Sequence, residues 1–212
     1  MMLIKAETLR KDFEVWAHFY TVRVDEKEYI MRSEAKIIRK GKEKSNVDTV
    51  IVMANPGSCS AVDKNAKFFS LDEKKNFVKA NPDPTQYQLM NLMERMNWNN
   101  LKIINLSDVC TGNYKEFKEY LKEFKANKFN EHTIFCEKRK GELDRHIKGA
   151  NLIFAWGTNS AIKEIAKDVV DRQLVHKGLE HSQGIYYRHP KPATLQNRII
   201  LLDSLEVQLK EA

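Results

Sequence analysis

A short apolar run that stops at an Asn-Pro-Gly turn is the feature that most limits how this chain can fold. Residues 50–53 read Val-Ile-Val-Met and lack the periodicity of an amphipathic helix, so they predict a strand buried on both faces. Beyond Asn55, Pro56 fixes φ and removes a backbone donor, while Gly57 tolerates conformations closed to other residues. The backbone is therefore predicted to turn where a parallel strand ends, and ligands of open α/β sheets bind at such ends.

Apolar runs of similar length recur along the chain and alternate with segments of helical spacing. One of these segments starts with Asp83 and Pro84, which predict a helix N-cap and first turn. The alternation predicts an α/β protein, a three-layer α/β/α sandwich whose central sheet is mostly parallel. The other predicted strands span 101–106, 151–157, 184–188 and 198–202, and the predicted helices span 83–97, 113–127, 136–148 and 159–172.

The beginning of the chain differs from the rest in being rich in charge. Residues 20–24 and 29–31 have alternating patterns that predict the edge strands of a hairpin, and residues 39–45 predict a solvated basic loop. We therefore expect residues 1–46 to form an N-terminal extension packed on the core. Residues 47–212 are expected to form one α/β/α domain, since the length suits one large domain better than two small ones.

Charge balance and cysteine usage limit the classes of function. The chain has 36 Lys and Arg against 29 Asp and Glu, and the net charge of +7 favours a polyanionic partner. Cys59, Cys110 and Cys136 lie far apart and form no CxxC pair, so neither a disulfide framework nor a zinc site is predicted. No apolar run approaches the length of about 18 residues that suggests a membrane span. We expect a cytoplasmic monomer that does not contact membranes.

Polar side chains follow three of the predicted strands, at the point where each strand ends. These side chains are Asn55, Asn105 and His189. If the strands are parallel, their carboxyl ends meet at one edge of the sheet. The sequence therefore predicts that two amides and an imidazole line a single crevice there.

Four short motifs at these strand ends resemble the uracil-DNA glycosylase superfamily. Residues 55–57 resemble the water-positioning Asn-Pro-Gly of its mismatch-specific branch, and residues 104–106 are similar to the strand that ends in a base-reading asparagine. Residues 155–157 match a Trp-Gly pair that ends another core strand, and residues 189–192 resemble the His-Pro-Ser-Pro loop that carries the catalytic histidine. The set also resembles an uncharacterised bacterial and phage family with Asn-Pro-Ser, Val-Asn-Leu and Trp-Gly at equivalent places.

The resemblance implies a uracil-DNA glycosylase-like domain that removes uracil or another modified base from single- or double-stranded DNA without a metal or cofactor. Asn55 would orient the attacking water and His189 would donate to the departing base. Lys191 replaces the serine of the histidine loop, and Ala193 stands where a leucine wedge would enter the base stack. The implied substrate-binding residues are Pro56, Gly57, Phe68, Phe69, Asn105, Trp156 and Gly157, and the implied phosphate-binding residues are Arg188 and Lys191.

Other interpretations of the same residues stay open at this point. The Asn-Pro-Gly stretch is also consistent with a turn that has no functional role. Asn105 is also consistent with a residue that caps the following segment, and His189 with a solvent-exposed histidine. The aromatic pair Phe68 and Phe69 also fits core anchors. The alternative functions are an inactive nucleic-acid-binding or protein-interaction module of the same fold, of phage origin, and an N-glycosidase that acts on free nucleosides or nucleotides.

Overall fold

One mixed sheet organises the computed structural model, which describes residues 2–71, 76–181 and 184–211. The spatial order of its seven strands is β4-β5-β1-β2-β6-β3-β7. In chain order the strands are β1 (Phe13–Val24), β2 (Lys27–Arg39), β3 (Thr49–Met53), β4 (Ser60–Ala61), β5 (Val78–Asn81), β6 (Asn100–Asn105) and β7 (Asn151–Phe154).

The sheet has a parallel part and an antiparallel part. β3 lies between β6 and β7 and is parallel to both. The other four pairings, β1 with β2, β1 with β5, β2 with β6 and β4 with β5, are antiparallel. The prediction of a mostly parallel sheet is therefore wrong for the described residues, although the three strands that end at residues 53, 105 and 154 are parallel neighbours as expected.

The antiparallel part follows from one long hairpin near the start of the chain. β1 and β2 pair from Phe13–Arg39 to Val24–Lys27, so two residues connect them and they must run in opposite directions. Asp25, in this connection, has φ +56°. The predicted edge strands are wrong in length and position, because β1 and β2 lie inside the sheet between β5 and β6. Buried polar residues interrupt the apolar pattern that would have shown their full length: His18, Arg32, Ser33 and Glu34.

Six helices in the described residues accompany the sheet. Asp83 is the N-cap of the second helix, as predicted, and forms a capping box with Gln86. None of the helices in the described ranges is both long enough and apolar enough to cross a lipid bilayer. The helices are α1 (Ala6–Asp12), α2 (Pro84–Met96), α3 (Tyr114–Ala126), α4 (Lys140–Ile147), α5 (Lys163–Asp171) and α6 (Leu195–Lys210).

Two predicted strands near the end of the chain are absent from the described structure. Residues 198–202 lie in α6, which Thr194 caps by accepting a hydrogen bond from Asn197 N. A short apolar run fits a strand and a helix equally well, and here the run continues into a helix of 16 residues. The described residues of 184–188 form only isolated bridges, from Tyr187 to Gly157 and to Glu180.

The helices cover both faces of the sheet, which confirms the α/β class. Ile51 and Met53 of β3 pack into an apolar cluster with α1, α2 and α6. Val50 and Val52, on the opposite face, pack into a second cluster with α3, α4 and α5. The chain leaves β3 towards the α2 face and leaves β6 towards the α3 face. The carboxyl ends of these two neighbouring strands therefore form a topological switch point, where ligands of α/β sheets bind.

We predict that alanine substitutions at Ile200 and Leu202 will have different effects on stability. On α6, Leu202 is 1% exposed and Ile200 is 49% exposed. Leu202→Ala should lower the free energy of unfolding by about 2–5 kcal/mol, and Ile200→Ala by less than about 1 kcal/mol. Urea denaturation measures both values. Similar losses of unfolding free energy at the two positions would contradict a helical conformation of residues 198–202, because residues two apart lie on the same face of a strand but not of a helix.

Candidate functional site

A cavity of about 70 Å³ lies beside the carboxyl end of β3, at the switch point. Its wall combines the turn after β3 with residues from β2, from β6, from the start of α2 and from the loop before α6. Asn55 and His189, the two predicted catalytic residues, both line it, as do the predicted binding residues Pro56 and Gly57. The full lining is Arg32, Met53, Ala54, Asn55, Pro56, Gly57, Asp83, Thr85, Gln86, Ile103 and His189.

Asn55 is held in one orientation by the segment that follows β6. Its Nδ2 donates to the carbonyl of Thr111 at 2.7 Å and to that of Val109 at 3.5 Å. No hydrogen bond within the described residues uses Asn55 Oδ1, so this oxygen can accept from a water molecule in the cavity. The arrangement suits the water-positioning role that the sequence resemblance implies.

Gly57 allows the turn after β3 to approach the start of α2 closely. Its φ of +66° is one that other residues adopt at a cost. A Cβ atom at this position would lie 3.2 Å from Asp83 Oδ2. A larger residue would therefore be strained in its backbone and would require the Asp83 carboxylate to shift by a few tenths of an ångström.

Asp83 contributes a carboxylate to the cavity, a role that the sequence did not indicate. Its Oδ1 accepts hydrogen bonds from the backbone N–H groups of Thr85 at 2.8 Å and Gln86 at 2.9 Å. These bonds fix the carboxylate at the N-terminus of α2, next to the positive end of the helix dipole. A cap of this kind is common, so the sequence alone does not indicate that Asp83 also lines a cavity, with Oδ2 beside the turn at Gly57.

Arg32 is the second functional candidate that the sequence did not indicate. Its side chain is almost fully enclosed, with 2% of the residue exposed, and it lines the cavity. Nη1 donates to the carbonyl of Pro56 at 3.3 Å, and Nε has no partner. Within the described residues no carboxylate lies within 4.0 Å of the guanidinium. A buried cation without a counter-ion is costly for folding, which points to a functional reason for keeping it.

Asn105 lies behind the cavity wall and is fully buried at the end of β6. In the amide orientation that satisfies both ends, Nδ2 donates to the carbonyl of Asn55 at 3.1 Å and Oδ1 accepts from Arg32 Nη2 at 3.3 Å. Asn105 therefore connects the turn after β3 with the buried guanidinium. It is not among the residues that line the cavity.

His189 is neutral at physiological pH. Burial lowers the pKa of its imidazole, while the backbone of Lys191 and the nearby Asp83 carboxylate oppose this effect. Nδ1 lies 3.2 Å from the backbone N of Lys191, from which it can accept, and 3.4 Å from the carbonyl oxygen of the same residue, to which it can donate. In the shorter contact Nδ1 accepts, and this arrangement places the ring proton on Nε2, which can then donate to a ligand.

Trp156 and Gly157 support the histidine loop from outside the cavity lining. Trp156 is 1% exposed, and its Nε1 donates to the carbonyl of Ile185 at 3.1 Å. Gly157 N donates to the carbonyl of Tyr187 at 2.8 Å, and a Cβ atom on Gly157 would lie 3.4 Å from His189 Cβ. Both residues therefore position the loop that carries His189.

The other predicted site residues also lie outside the cavity lining. Phe68 packs against Phe19 with ring centroids 5.2 Å apart, in the apolar cluster of the α2 face. Phe69 is 53% exposed. Arg188 is exposed and Lys191 is partly exposed on the histidine loop, where a phosphate group could reach them.

The cysteines and metal-binding residues offer no other reactive centre among the described residues. Cys59, Cys110 and Cys136 are free thiols. Burial raises the pKa of Cys110 to about 12, so this thiol stays protonated at neutral pH. The described ranges contain no group of three or more His, Cys, Asp or Glu side chains placed to hold a metal ion.

We predict that two buried arginines will respond in opposite ways to substitution by methionine. Arg139 donates to Asp108 at 2.6 Å and to Glu142 at 2.9 Å, so Arg139→Met leaves a buried carboxylate uncompensated. It should lower the free energy of unfolding by about 3–5 kcal/mol. Arg32→Met removes a cation that has no counter-ion and should leave stability unchanged or raise it by about 1 kcal/mol. Equal losses in urea denaturation would show that Arg32 is a purely structural residue.

We also predict the protonation state of His189. A ¹H–¹⁵N NMR titration should give a pKa below 6.5 and a neutral form with the proton on Nε2. The same histidine in urea-unfolded protein is the control, since its pKa should return to about 6.5. A folded-state pKa above 6.5 would show that burial is not the dominant effect, and a proton on Nδ1 would show that the ring donates to the carbonyl of Lys191 instead.

Comparison with known proteins places the chain in a family without giving it a function. No curated protein and no solved structure matches the chain. The model of the DUF1643 family, described as a protein of unknown function, matches residues 35–191, which is more than half of the chain. The matched region includes Asn55, Asp83 and His189 and begins three residues after Arg32. The chain therefore belongs to the DUF1643 family.

Proposed function

We propose that this protein is a uracil-DNA glycosylase-like hydrolase, which breaks the N-glycosidic bond of uracil or another altered base in DNA. In such a reaction positive charge develops on the sugar and negative charge on the departing base. A suitable site therefore combines an anionic group near the sugar, a cationic or donor group near the base and a positioned water molecule.

The observation that carries this proposal is the presence of a carboxylate and an unpaired guanidinium in one cavity. Asp83 and Arg32 line the same space of about 70 Å³, on the start of α2 and on β2 respectively. Their charges match the charge separation of the transition state. The capped Asp83 carboxylate would stabilise the sugar cation, and Arg32 would stabilise the departing base anion.

Two further residues complete the proposed reaction. Asn55 Oδ1 would accept a hydrogen bond from the attacking water, whose proton passes to Asp83. His189 would donate from Nε2 to a carbonyl oxygen of the departing base. A neutral imidazole suits this role, because it donates without adding a second cation beside Arg32.

The fold and the size of the cavity bear on how a base would reach the site. Three of the motifs that resemble the glycosylase superfamily lie at the ends of the parallel strands, and the fourth lies in the loop before α6. This arrangement supports the uracil-DNA glycosylase-like fold as part of the proposal. The cavity of about 70 Å³ is smaller than the 300–1,000 Å³ typical of ligand pockets. A base would therefore enter only as side chains of the wall move, as in other enzymes that extrude a base.

The test is base release from oligonucleotides that carry uracil or another altered base, as single strands and as duplexes. Alkaline heating converts each abasic site into a strand break. We expect release by the wild-type protein, with a loss of about 10²-fold or more in Asp83→Asn, Arg32→Met and Asn55→Ala. Asp83→Asn is a sharp probe, because asparagine caps a helix as well as aspartate does and only the charge is lost.

Asp171→Asn, at the exposed end of α5, is the matched control and should retain full activity. Binding of DNA without breaks at any base would overturn excision and favour an inactive module. Hydrolysis of free nucleosides, with intact oligonucleotides, would assign the same residues to a nucleoside N-glycosidase instead.

A further inference from the structure

A second and much larger depression lies on the opposite side of the sheet from α2. This groove, of about 930 Å³, runs between α3, the segment 128–138 and α5. Six lysines line it, and we call it the lysine groove: Lys118, Lys122, Lys125, Lys128, Lys138 and Lys163.

Four of these lysines have no counter-ion among the described residues. Lys125 pairs with Glu164 at 2.8 Å, and Lys138 pairs with Glu131. The remaining acidic residues of the lining are Glu137 and Asp168. The unpaired lysines therefore give the groove an excess of positive charge, and all four are exposed: Lys118, Lys122, Lys128 and Lys163.

The spacing of the lysines suits a repeating negative charge. Lys118, Lys122 and Lys125 are three or four residues apart on α3, so they follow one face of the helix. At a rise of 1.5 Å per residue, Lys118 to Lys125 extends over about 10 Å of α3, and Lys128 lies two residues beyond the end of the helix. Lys163 faces them from α5, so cations stand on both sides of the groove. One narrow chain between them would contact the lysines of α3 on one side and Lys163 on the other.

The floor of the groove is apolar. Leu121 and Ile165 are partly exposed there, and the buried Phe135 also belongs to the lining. Sugars and bases of a single strand have apolar faces that can lie against such a floor while the phosphates meet the lysines. A duplex keeps its bases inside and presents its phosphates on a wider cylinder, which fits a groove with two charged sides less well.

The groove begins at the sheet edge that carries the cavity. α3 starts at Tyr114, three residues after Thr111, whose carbonyl holds Asn55. α5 and the turn before it follow the end of β7 at the same edge. The hydroxyls of Tyr114 and Ser160 lie 3.2 Å apart and join the beginnings of these two segments.

We propose that the lysine groove binds the phosphate backbone of a single DNA strand, next to the nucleotide whose base enters the cavity. The part of this proposal that places the bound strand next to the cavity rests on the proposed function. The part that the groove binds a single strand is independent of it, because the groove shares no lining residue with the cavity.

The test is fluorescence anisotropy with a labelled single-stranded oligonucleotide of unmodified bases, titrated at several salt concentrations. The variant Lys118→Gln/Lys122→Gln/Lys128→Gln/Lys163→Gln removes the four unpaired charges. Each lost phosphate contact should lower the slope of log K against log[salt] by about 0.7, and four contacts by about 2–3. Affinity at low salt should fall by at least about tenfold.

The matched control is Lys5→Gln/Lys11→Gln/Lys42→Gln/Lys44→Gln, which removes the same charge from exposed positions outside the groove. This control variant should keep most of the wild-type affinity for the oligonucleotide and most of the slope of log K against log[salt]. Circular dichroism verifies that both variants are folded. The proposal is overturned by equal losses in the two variants, by no binding in the wild type, or by polyglutamate binding more tightly than DNA through the same lysines. Because the oligonucleotide carries no altered base, absence of base release in the glycosylase assay leaves this result untouched.

Discussion

The buried guanidinium of Arg32 is the interaction on which the candidate site depends. It donates to the carbonyl of Pro56 and to the amide of Asn105, so it connects β2 with the ends of β3 and β6. Asn105 in turn donates to the carbonyl of Asn55. These neutral acceptors offset only part of the cost of burying a cation. The positive charge that they leave uncompensated is what makes the cavity suited to an anionic or carbonyl ligand.

The two parts of the sheet have different tasks in building this site. The parallel strands β6, β3 and β7 bring their carboxyl ends to one edge and create the switch point. The antiparallel hairpin of β1 and β2 adds Arg32 to that edge, through the pairing of β2 with β6. Residues near the start of the chain therefore complete a site whose other members lie between Met53 and His189.

Charged groups in this protein fall into three physical settings. Asp108 and Arg139 form a buried and mutually compensated pair, whose role is structural. Arg32 is buried and Asp83 is partly exposed, and both line the cavity, where their charges can interact with charge that develops on a substrate. The unpaired lysines of the lysine groove are exposed and lie on both of its sides, as expected for contacts to a polyanion that are sensitive to salt.

The sequence by itself determined the local features of the site. The strand over residues 50–53, the turn at Asn55-Pro56-Gly57 and the cap at Asp83 follow from short-range rules, and the structure has all three. His189 lines the same cavity as Asn55 although the strand predicted before it is absent, so the tertiary structure brings these two residues together. Only the tertiary structure decided which charges are buried, because burial depends on strands far apart in the chain. It therefore revealed Arg32, gave Asp83 a second role and placed Asn105 behind the wall. It also decided that residues 198–202 are helical, since the local apolar run allows both structures and packing against the α2 face selects one.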